Sequence, residues 1–315
     1  MKKVLLVRPD KAGDALKTLP VLRALLQQNL DFEYHLLASA HNASLFEFEE
    51  GFQLHTLPKN WETLSAADLQ KYIRENVNEN FDVSILLPCD TFAENERLQA
   101  LIPAAKKLGS LPENLSPAYR EETQNIATIV GNALAVELIP FIYEVPRAPV
   151  FSVEDEEEAR AKMGEKAGDW LGFCPFAGTA HRTHPFKSWL KLIRKVTKAH
   201  SFEKYFIFGT ESVREEMLKL KSVAVDPSKV DLCFPSSFRT LGAYLKHLDG
   251  IVAVDSGPLH LAQSLNIPSL GILSGGDVER WFKRIQPHDL LIKRGLLSRY
   301  PSVFEIFRAF KAWQA

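Results

Sequence analysis

The sequence of 315 residues has few cysteines and no long apolar segment. Its three cysteines, Cys89, Cys174 and Cys233, lack the C-x-x-C spacing of zinc sites and suggest no disulfide framework, so we expect ordinary buried thiols. No apolar run approaches the roughly 20 residues that a membrane helix needs. The N-terminal MKKVLLVRPD turns polar after only four apolar positions, too few for a signal peptide. These absences favour a cytoplasmic protein.

Two nucleotide-binding fingerprints are also missing. The turn RPDKAGDALK, which follows the first predicted strand, contains a single glycine, Gly13. It therefore lacks both the G-x-G-x-x-G of dinucleotide-binding proteins and the G-x-x-x-x-G-K-[ST] of P-loop proteins. Their absence argues against a dehydrogenase and against a P-loop nucleotidase.

The chain carries no excess of positive charge. Its formal net charge is -1, whereas a protein that binds mainly nucleic acid usually has a basic domain, so we do not expect nucleic acid as a partner. The charge is uneven: residues 1–150 have 14 Lys and Arg against 20 Asp and Glu, and the remainder has 24 against 19. The second half is therefore the better host for an anionic ligand.

Strand and helix patterns alternate along both halves of the chain. The short apolar runs VLLV (4–7), YHLLAS (34–39) and VSILLP (83–88) predict strands, with helix-compatible segments such as LSAADLQKYIRENVN between them. WLGFC, YFIFG, IVAVDSG and IPSLGIL continue this rhythm in the second half. Strands that alternate with helices predict parallel sheets of the α/β class.

The length suits two domains of roughly 150 residues each. A Pro-rich and then acidic stretch at 140–158 predicts a linker, so we place the boundary near residue 150. Residues 1–150 and 151–300 would each form a domain, with a ligand cleft between the carboxyl ends of the two sheets. Residues 301–315 would form a C-terminal helix. The three-residue spacing of its aromatic residues predicts a buried face made of Phe304, Phe307, Phe310 and Trp313.

The segment VAVDSGPLHLAQSLNIP (252–268) joins a buried strand to a helix start. Ser256 or Gly257 can cap the helix, and Pro258 suits its first turn. The unpaired N–H groups and partial positive charge of such an end suit a phosphate, while Asp255 can accept hydrogen bonds from a ligand. The alternative interpretation is a well-capped helix with an acidic start, and the segment alone favours neither.

In the first turn, Gly13 and Asp14 follow the strand, and Pro20 would disturb a helix begun at Asp14. Either this helix is kinked or Thr18 caps it, in which case Asp14 points from a flexible loop, as a general base needs. A helix-capping Asp14 is the alternative. The next candidates for a base, each just after a predicted strand, are Asp10 and Asp90.

FCPFAGTAHRTHPFKSW (173–189) places Gly178 and Thr179 beyond a strand and Lys187 at the start of a helix. Lys187 can neutralise a diphosphate or can be a solvated surface residue. His181 and His184 lack acidic or cysteine partners nearby, so we predict loop residues that line the cleft and no metal site. After the strand YFIFG, a carboxylate at Glu211 can grip ribose hydroxyls or cap a helix.

Together, DSGPLHLA (255–262), GDALKTLP (13–20), K-S-W (187–189) and G-T-E (209–211) resemble motifs of glycosyltransferase family 9, the ADP-heptose lipopolysaccharide heptosyltransferases. The resemblance implies a GT-B fold of two Rossmann-like domains facing each other across a cleft. It implies an inverting, metal-independent transfer, with an ADP-sugar as co-substrate and no further cofactor. The first domain would bind a glycan or glycolipid acceptor, with at most peripheral association with the inner face of the bacterial inner membrane.

The resemblance also assigns roles. Asp14 would be the catalytic base, with Lys11 and Gly13 in the loop on the acceptor side. Lys187 would hold the donor diphosphate and Glu211 the ribose. The rest of the donor site would be formed by Gly178, Thr179, Asp255, Ser256, Gly257 and His260.

The chain departs from the family pattern at two loops. Pro175-Phe176-Ala177-Gly178 and extra residues precede Lys187, and LSGGDVERWF (273–282) replaces F-G-x-T-x-P, which leaves Gly275 and Gly276 to contact phosphate. The acidic first half is unusual for a domain that binds a phosphorylated lipid core. Competing interpretations are another GT-B sugar-nucleotide enzyme, an epimerase or hydrolase, and a catalytically silent nucleotide-sugar-binding protein, against which Asp14 argues.

Overall fold

The computed structural model describes residues 1–87, 92–109, 122–179, 182–273, 286–292 and 300–314. The chain divides into two units, Met1–Val150 and a second that begins at Phe151. Each unit contains a parallel sheet with helices in the connections between its strands.

The strands of the first unit are β1 (Lys2–Arg8), β2 (Phe32–Ser39), β3 (Phe52–Leu57), β4 (Phe81–Leu86) and β5 (Ala104–Leu108). Its described helices are α1 (Ala12–Leu16), α2 (Leu19–Gln27), α3 (Ala66–Asn76), α4 (Phe92–Leu101) and α5 (Glu122–Leu134). The sheet order is β3-β2-β1-β4-β5, and all its strands are parallel. β1 occupies the centre because residues 4–7 are apolar on both faces and fully buried.

The strands described in the second unit are β6 (Trp170–Cys174), β7 (Lys204–Phe208), β8 (Val230–Cys233), β9 (Gly250–Val254), β10 (Ser269–Ile272) and β11 (Leu290–Ile292). Its described helices are α6 (Val153–Met163), α7 (Phe186–Ala199), α8 (Arg214–Ser222), α9 (Phe238–Leu245), α10 (Gly257–Ser264) and α11 (Val303–Trp313). The sheet order is β11-β10-β9-β6-β7-β8, again parallel. Cys174 and Cys233 are free, buried thiols whose pKa is raised mainly by burial; Cys89 lies outside the described residues.

Each sheet has one point at which the strand order reverses. In the first sheet β1 lies between β2 and β4, and in the second β6 lies between β7 and β9. Open parallel sheets bind ligands at the carboxyl ends of the strands beside such a point. The turns after β1, β6 and β9 are therefore the places where each unit is expected to hold a ligand.

The C-terminal helix α11 buries a different face from the one predicted. Ile306 and Phe310 are fully buried, whereas Phe304 is 70% exposed, so the predicted face of four aromatic residues is wrong. Because a helix turns every 3.6 residues, positions three apart drift around its surface, while Ile306 and Phe310, four apart, share one face. Phe307 and Trp313 are partly buried against the core of the second unit. Among the described helices, none combines the length and apolar character that crossing a bilayer requires.

Candidate active site

The turn after β1 is held by a buried arginine. Arg8, the last residue of β1, is fully buried, and its Nη2 donates to the main-chain oxygen of Asp14 at 2.7 Å. Its Nε lies 3.1 Å from Oδ1 of Asp10. The side-chain amide of Asn42, also fully buried, donates to the carbonyl oxygens of Arg8 at 2.9 Å and Asp10 at 2.7 Å. Side chains within the first unit therefore fix the path of this turn.

Asp14 lies in the first turn of the short helix α1 and is half-buried. Its N–H donates to the carbonyl oxygen of Lys11 at 3.1 Å, and Lys11 itself is exposed at the N-cap position. The prediction of a flexible glycine loop is wrong because Gly13 is helical. The glycines with positive φ in the described chain are Gly51 and Gly164.

The chain breaks between α1 and α2, but Thr18 does not cap the second helix. Thr18 occupies the N-cap position with φ -84° and ψ -31°, which are helical values, and its hydroxyl makes no capping hydrogen bond. Pro20 is at the start of α2 and cannot donate to the carbonyl of Leu16, where α1 ends. Of the two alternatives, the interrupted helix is the one observed, and proline rather than a capping threonine explains the interruption.

Asp10 has an unusual electrostatic environment. Its side chain is 5% exposed, and neither of its carboxylate oxygens makes a hydrogen bond to the described part of the chain. Burial raises the pKa of Asp10 to about 7, Arg8 opposes this rise, and the charges of Asp14 and Glu122 add to it. Glu122, in the first turn of α5, is fully buried. The carboxyl group of Asp10 therefore interacts with Arg8 and with two further carboxyl groups, and its charge changes near neutral pH.

In the second unit, the loops after β6 and β9 begin side by side, because Cys174 pairs with Ala253. Asp255 follows β9 directly and is 7% exposed, and its Oδ2 lies 4.0 Å from Nε of Arg182 in the loop after β6. The N–H of Arg182 donates to the carbonyl oxygen of Thr179 at 3.1 Å. Gly178 is exposed, with open space where a side chain would project. The structure therefore brings Asp255 close to a cation that the sequence analysis did not single out.

Helix α10 begins at the predicted position, but the predicted side-chain cap is absent. Ser256 is at the N-cap position and Pro258 is in the first turn, yet the Ser256 hydroxyl donates to the carbonyl oxygen of Val254 at 3.2 Å. A donated bond cannot satisfy the helix N–H groups, so the helix has no side-chain cap. Gly257 is its first residue and His260 is buried in its first turns. The first turn of α10 contains no acidic residue, and Asp255 lies just before the N-cap residue.

Helix α7 begins in the same way. Its N-cap residue is Pro185, it has no side-chain cap, and its first turn contains no acidic residue but does contain the exposed Lys187. A lysine at the positive end of a helix is electrostatically unfavourable unless an anion lies nearby. The buried Trp189 anchors this turn to the core. The charge of Lys187 and the N-terminus of α7 therefore both contribute positive electrostatic potential at the carboxyl edge of the sheet.

His184, just before α7, is buried with neither ring nitrogen hydrogen-bonded to the described residues. Burial lowers the pKa of His184 to about 4, so the ring is neutral at physiological pH. His181, Asp90, Gly275 and Gly276 lie outside the described residues. No group of three His, Cys, Asp or Glu residues within the described ranges has an arrangement that could hold a metal ion.

Glu211 follows β7 and is engaged by a neighbouring arginine. Its two carboxylate oxygens accept hydrogen bonds from Nε and Nη2 of Arg214, both at 2.6 Å, and these bonds lower the pKa of Glu211. The guanidinium of Arg214 lies 4.2 Å from the centre of the Phe234 ring. Glu211 is well exposed and caps no helix through its side chain. The structure thus places it in a surface ion pair in the turn that follows β7, the strand next to β6.

Two parallel α/β units, each with charged turns at its switch point, define the two-domain architecture of GT-B glycosyltransferases. The sequence profile of glycosyltransferase family 9 (heptosyltransferase) matches residues 118–287, which is more than half of the chain. The chain belongs to this family and is a glycosyltransferase. No curated protein sequence matches it significantly.

Solved structures agree on the fold. The family 9 glycosyltransferase from Veillonella parvula superposes with a TM-score of 0.76 at 15% identity, covering 99% of this chain and 97% of that one. The E. coli heptosyltransferase WaaC with ADP gives 0.72 at 14% identity, covering 99% of both chains. E. coli ADP-heptose lps heptosyltransferase II has a TM-score of 0.70 at 14% identity, covering 99% of this chain and 98% of that one. The predicted family and GT-B fold are therefore confirmed.

Proposed function

We propose that the protein transfers a heptose or a related sugar from an ADP-sugar to a hydroxyl group of a glycan or glycolipid, with inversion at the anomeric carbon and without a metal ion. The observation that carries this proposal is the positive edge of the second sheet. There, α7 and α10 both lack a side-chain cap and an acidic residue in the first turn, and Lys187 lies in the first turn of α7. Such ends bind phosphate groups through main-chain N–H donors.

In this proposal the second unit binds the donor. The diphosphate lies against the first turns of α7 and α10, close to Lys187, Ser256 and Gly257, with the exposed Gly178 and the partly buried Thr179 in the loop after β6. Asp255 and His260 line the sugar side, and Glu211 accepts hydrogen bonds from the ribose. The two E. coli enzymes support ADP as the nucleotide, since WaaC was solved with ADP and the other is an ADP-heptose lps heptosyltransferase.

Asp14 in the first unit is the proposed base. The acceptor oxygen attacks the anomeric carbon on the face opposite the diphosphate, and a new carbon–oxygen bond forms as the bond to the β-phosphate oxygen breaks. The electron pair of the broken bond leaves with ADP, and the proton of the acceptor hydroxyl moves to the Asp14 carboxylate. Lys187 and the two helix ends stabilise the charge that develops on ADP. Lys11 and Gly13 border this step on the acceptor side.

The charge distribution bears on the acceptor. The first 150 residues have 14 basic against 20 acidic residues, so a strongly phosphorylated acceptor would meet repulsion there. A sparingly charged glycan of the lipopolysaccharide type fits better. If the acceptor is attached to a lipid, the proposed location is the inner face of the bacterial inner membrane.

A nucleotide-sugar panel tests the proposal. Calorimetry with ADP, UDP and GDP should show a preference for ADP, and incubation of ADP-heptose with a lipopolysaccharide core oligosaccharide should release ADP and lengthen the glycan. Activity should persist in EDTA. Preference for UDP with epimerised or hydrolysed sugar would instead support the alternative GT-B enzymes, and binding without turnover would support a silent binding protein.

A further inference from the structure

The buried side chains beneath Asp14 suggest a second role in the same turn. Arg8 contacts both sides of this turn, since its Nη2 donates to the main-chain oxygen of Asp14 at 2.7 Å and its Nε lies 3.1 Å from Oδ1 of Asp10. Asn42 donates to the carbonyl oxygen of Asp10 at 2.7 Å. A shift of Asp10 would therefore be transmitted through Arg8 to the residue that carries the proposed base.

The Asp10 carboxyl interacts with charges of both signs. Its neighbours are the guanidinium of Arg8 and the carboxyl groups of Asp14 and Glu122, which belong to α1 and α5. The Asp10 carboxyl is almost completely buried and lacks hydrogen-bond donors among the described residues. Unlike charges attract and like charges repel most strongly where water is excluded, so the ionisation of Asp10 affects its neighbours more than an exposed carboxylate could.

We propose that Asp10 is a positioning residue for Asp14: held by Arg8 and Asn42, it fixes the turn that carries the proposed base, and its negative charge strengthens that base. This inference rests on the proposed function of Asp14. When Asp10 is ionised, its charge increases the affinity of Asp14 for the proton of the acceptor. When Asp10 is protonated, Asp14 is a weaker base and turnover falls, but it does not vanish.

The dependence of kcat on pH follows from the protonation state of Asp10. Because burial raises the pKa of Asp10 to about 7, its charge is present above neutral pH and is lost as the pH falls through 7. The parent enzyme should therefore have a high plateau of kcat above pH 7 and a lower plateau below it. Asp10→Asn, which is nearly isosteric and cannot ionise, should remain at the lower plateau, about three- to tenfold down.

The test measures ADP release from ADP-heptose with a core oligosaccharide between pH 5.5 and 8.5. Asp10→Asn should lose the step near pH 7 with KM for the donor unchanged, and Asp10→Glu should restore it. The matched control is Asp31→Asn, an exposed aspartate in the same unit just before β2, which should retain the step. A step that survives in Asp10→Asn at parental kcat would overturn the proposal.

A second readout does not depend on turnover. In protein labelled with ¹³C at the aspartate carboxyl groups, the signal that disappears in Asp14→Asn identifies Asp14. This signal should titrate at a lower pH in Asp10→Asn than in the parent, and an unchanged titration would overturn the coupling. Loss of turnover in Asp14→Asn with parental behaviour of Asp10→Asn would refute only this inference. Turnover retained by Asp14→Asn would refute the proposed base itself.

Discussion

Arg182 Nε lies 4.0 Å from Asp255 Oδ2, between the loops that follow β6 and β9. This distance is too long for a hydrogen bond, and the Arg182 side chain remains 34% exposed, so the guanidinium retains donors for a ligand. We expect Arg182→Ala to weaken binding of ADP-sugars by about tenfold or more, because a charge-assisted hydrogen bond contributes about 1.5–3 kcal/mol. Calorimetry would measure the affinity, with Arg194→Ala on the exposed face of α7 as the control. If Arg182→Ala and Arg194→Ala both bind ADP-sugars with the parental affinity, Arg182 is not part of the donor site.

Lys187→Ala should weaken donor binding by a similar factor. Lys187 is exposed in the first turn of α7, where its charge adds to that of the helix end instead of offsetting it. Lys198, exposed in the last turn of the same helix, provides a control at the opposite end. Affinities for ADP and ADP-heptose, measured at one salt concentration, should fall in Lys187→Ala and stay at the parental value in Lys198→Ala. If both variants bind like the parent, Lys187 is only a solvated surface residue.

The central strands could be predicted from the sequence, whereas several edge strands could not. The runs at 4–7 and 34–39 fall within β1 and β2, and the run at 83–88 begins inside β4, which ends at Leu86; all three are inner strands with apolar stretches. β3 and β5 are the edges of the first sheet, and their sequences FQLHTL and AAKKL mix polar and apolar residues because much of each strand is exposed. An edge strand buries little surface, so its hydrophobic pattern is weak.

The site could be predicted in outline for a related reason. Turn residues such as Asp14, Lys187 and Asp255 follow recognisable strands, so their position at the carboxyl edges follows from the α/β alternation. Arg8 was missed because it continues an apolar strand, and a fully buried arginine is an exception to the usual exposure of this residue. Asn42 contacts it across 34 positions of sequence, a separation that only the folded chain reveals.

The side-chain caps predicted for α2 and α10 are wrong, although the residues predicted to provide them stand at the N-cap positions. Thr18 and Ser256 stand at the expected N-cap positions, but Thr18 has a helical backbone and the Ser256 hydroxyl bonds to Val254 instead. Residue type favours a cap, whereas the dihedral angles of the flanking turn decide whether the oxygen reaches the helix N–H groups.

Two stacked histidines should make the first unit sensitive to acid. His35 Nδ1 lies 2.9 Å from His55 Nε2, and the pKa of His55 is lowered by burial and by His35. A lowered pKa means that the unfolded chain binds the proton more readily. The stability that His55 contributes is therefore present above pH 6.5, the ordinary value, and is lost as the pH falls below it.

His55→Gln should flatten this dependence. Thermal unfolding of the parent should shift to lower temperature between pH 7 and pH 5.5 by more than that of His55→Gln. The exposed His41 provides the control, since His41→Gln should keep the parental slope. Glu79 opposes part of the lowering of the His55 pKa. Identical slopes in parent and His55→Gln would contradict the prediction.

Gly250→Ala should displace the C-terminal helix. A Cβ at Gly250 would lie 2.6 Å from the ring of Trp313, whose Nε1 donates to the carbonyl oxygen of His288 at 2.9 Å. The ring would have to move and lose this bond, and overpacking of this kind costs about 1–3 kcal/mol. The free energy of unfolding in urea would be measured for Gly250→Ala and for the control Gly178→Ala. The control is suitable because no atom lies within 4 Å of a Cβ at Gly178. Similar unfolding free energies for the two variants would contradict the packing of α11 described above.

Asp14→Asn is the decisive test of the proposed chemistry. General-base catalysis by a positioned side chain contributes about 10²–10⁴ in rate, so kcat for transfer from ADP-heptose should fall by roughly that factor. Donor affinity should barely change, because Asp14 lies in the first unit and the proposed donor site is in the second. Asparagine has nearly the same size as aspartate, and the hydrogen bond from Arg8 is to the main-chain oxygen, which the substitution leaves in place. A loss of activity would therefore report the missing carboxylate.

The comparison needs a verified acceptor and a folding control. Circular dichroism and calorimetry with ADP would show that Asp14→Asn is folded and binds nucleotide like the parent. Turnover near the parental rate would reduce Asp14 to a capping or binding group. Asp10 would then be the next candidate for the base, because its buried carboxyl has a pKa of about 7 and lies in the same turn, and Asp10→Asn would be expected to show the full loss of kcat in place of the partial one.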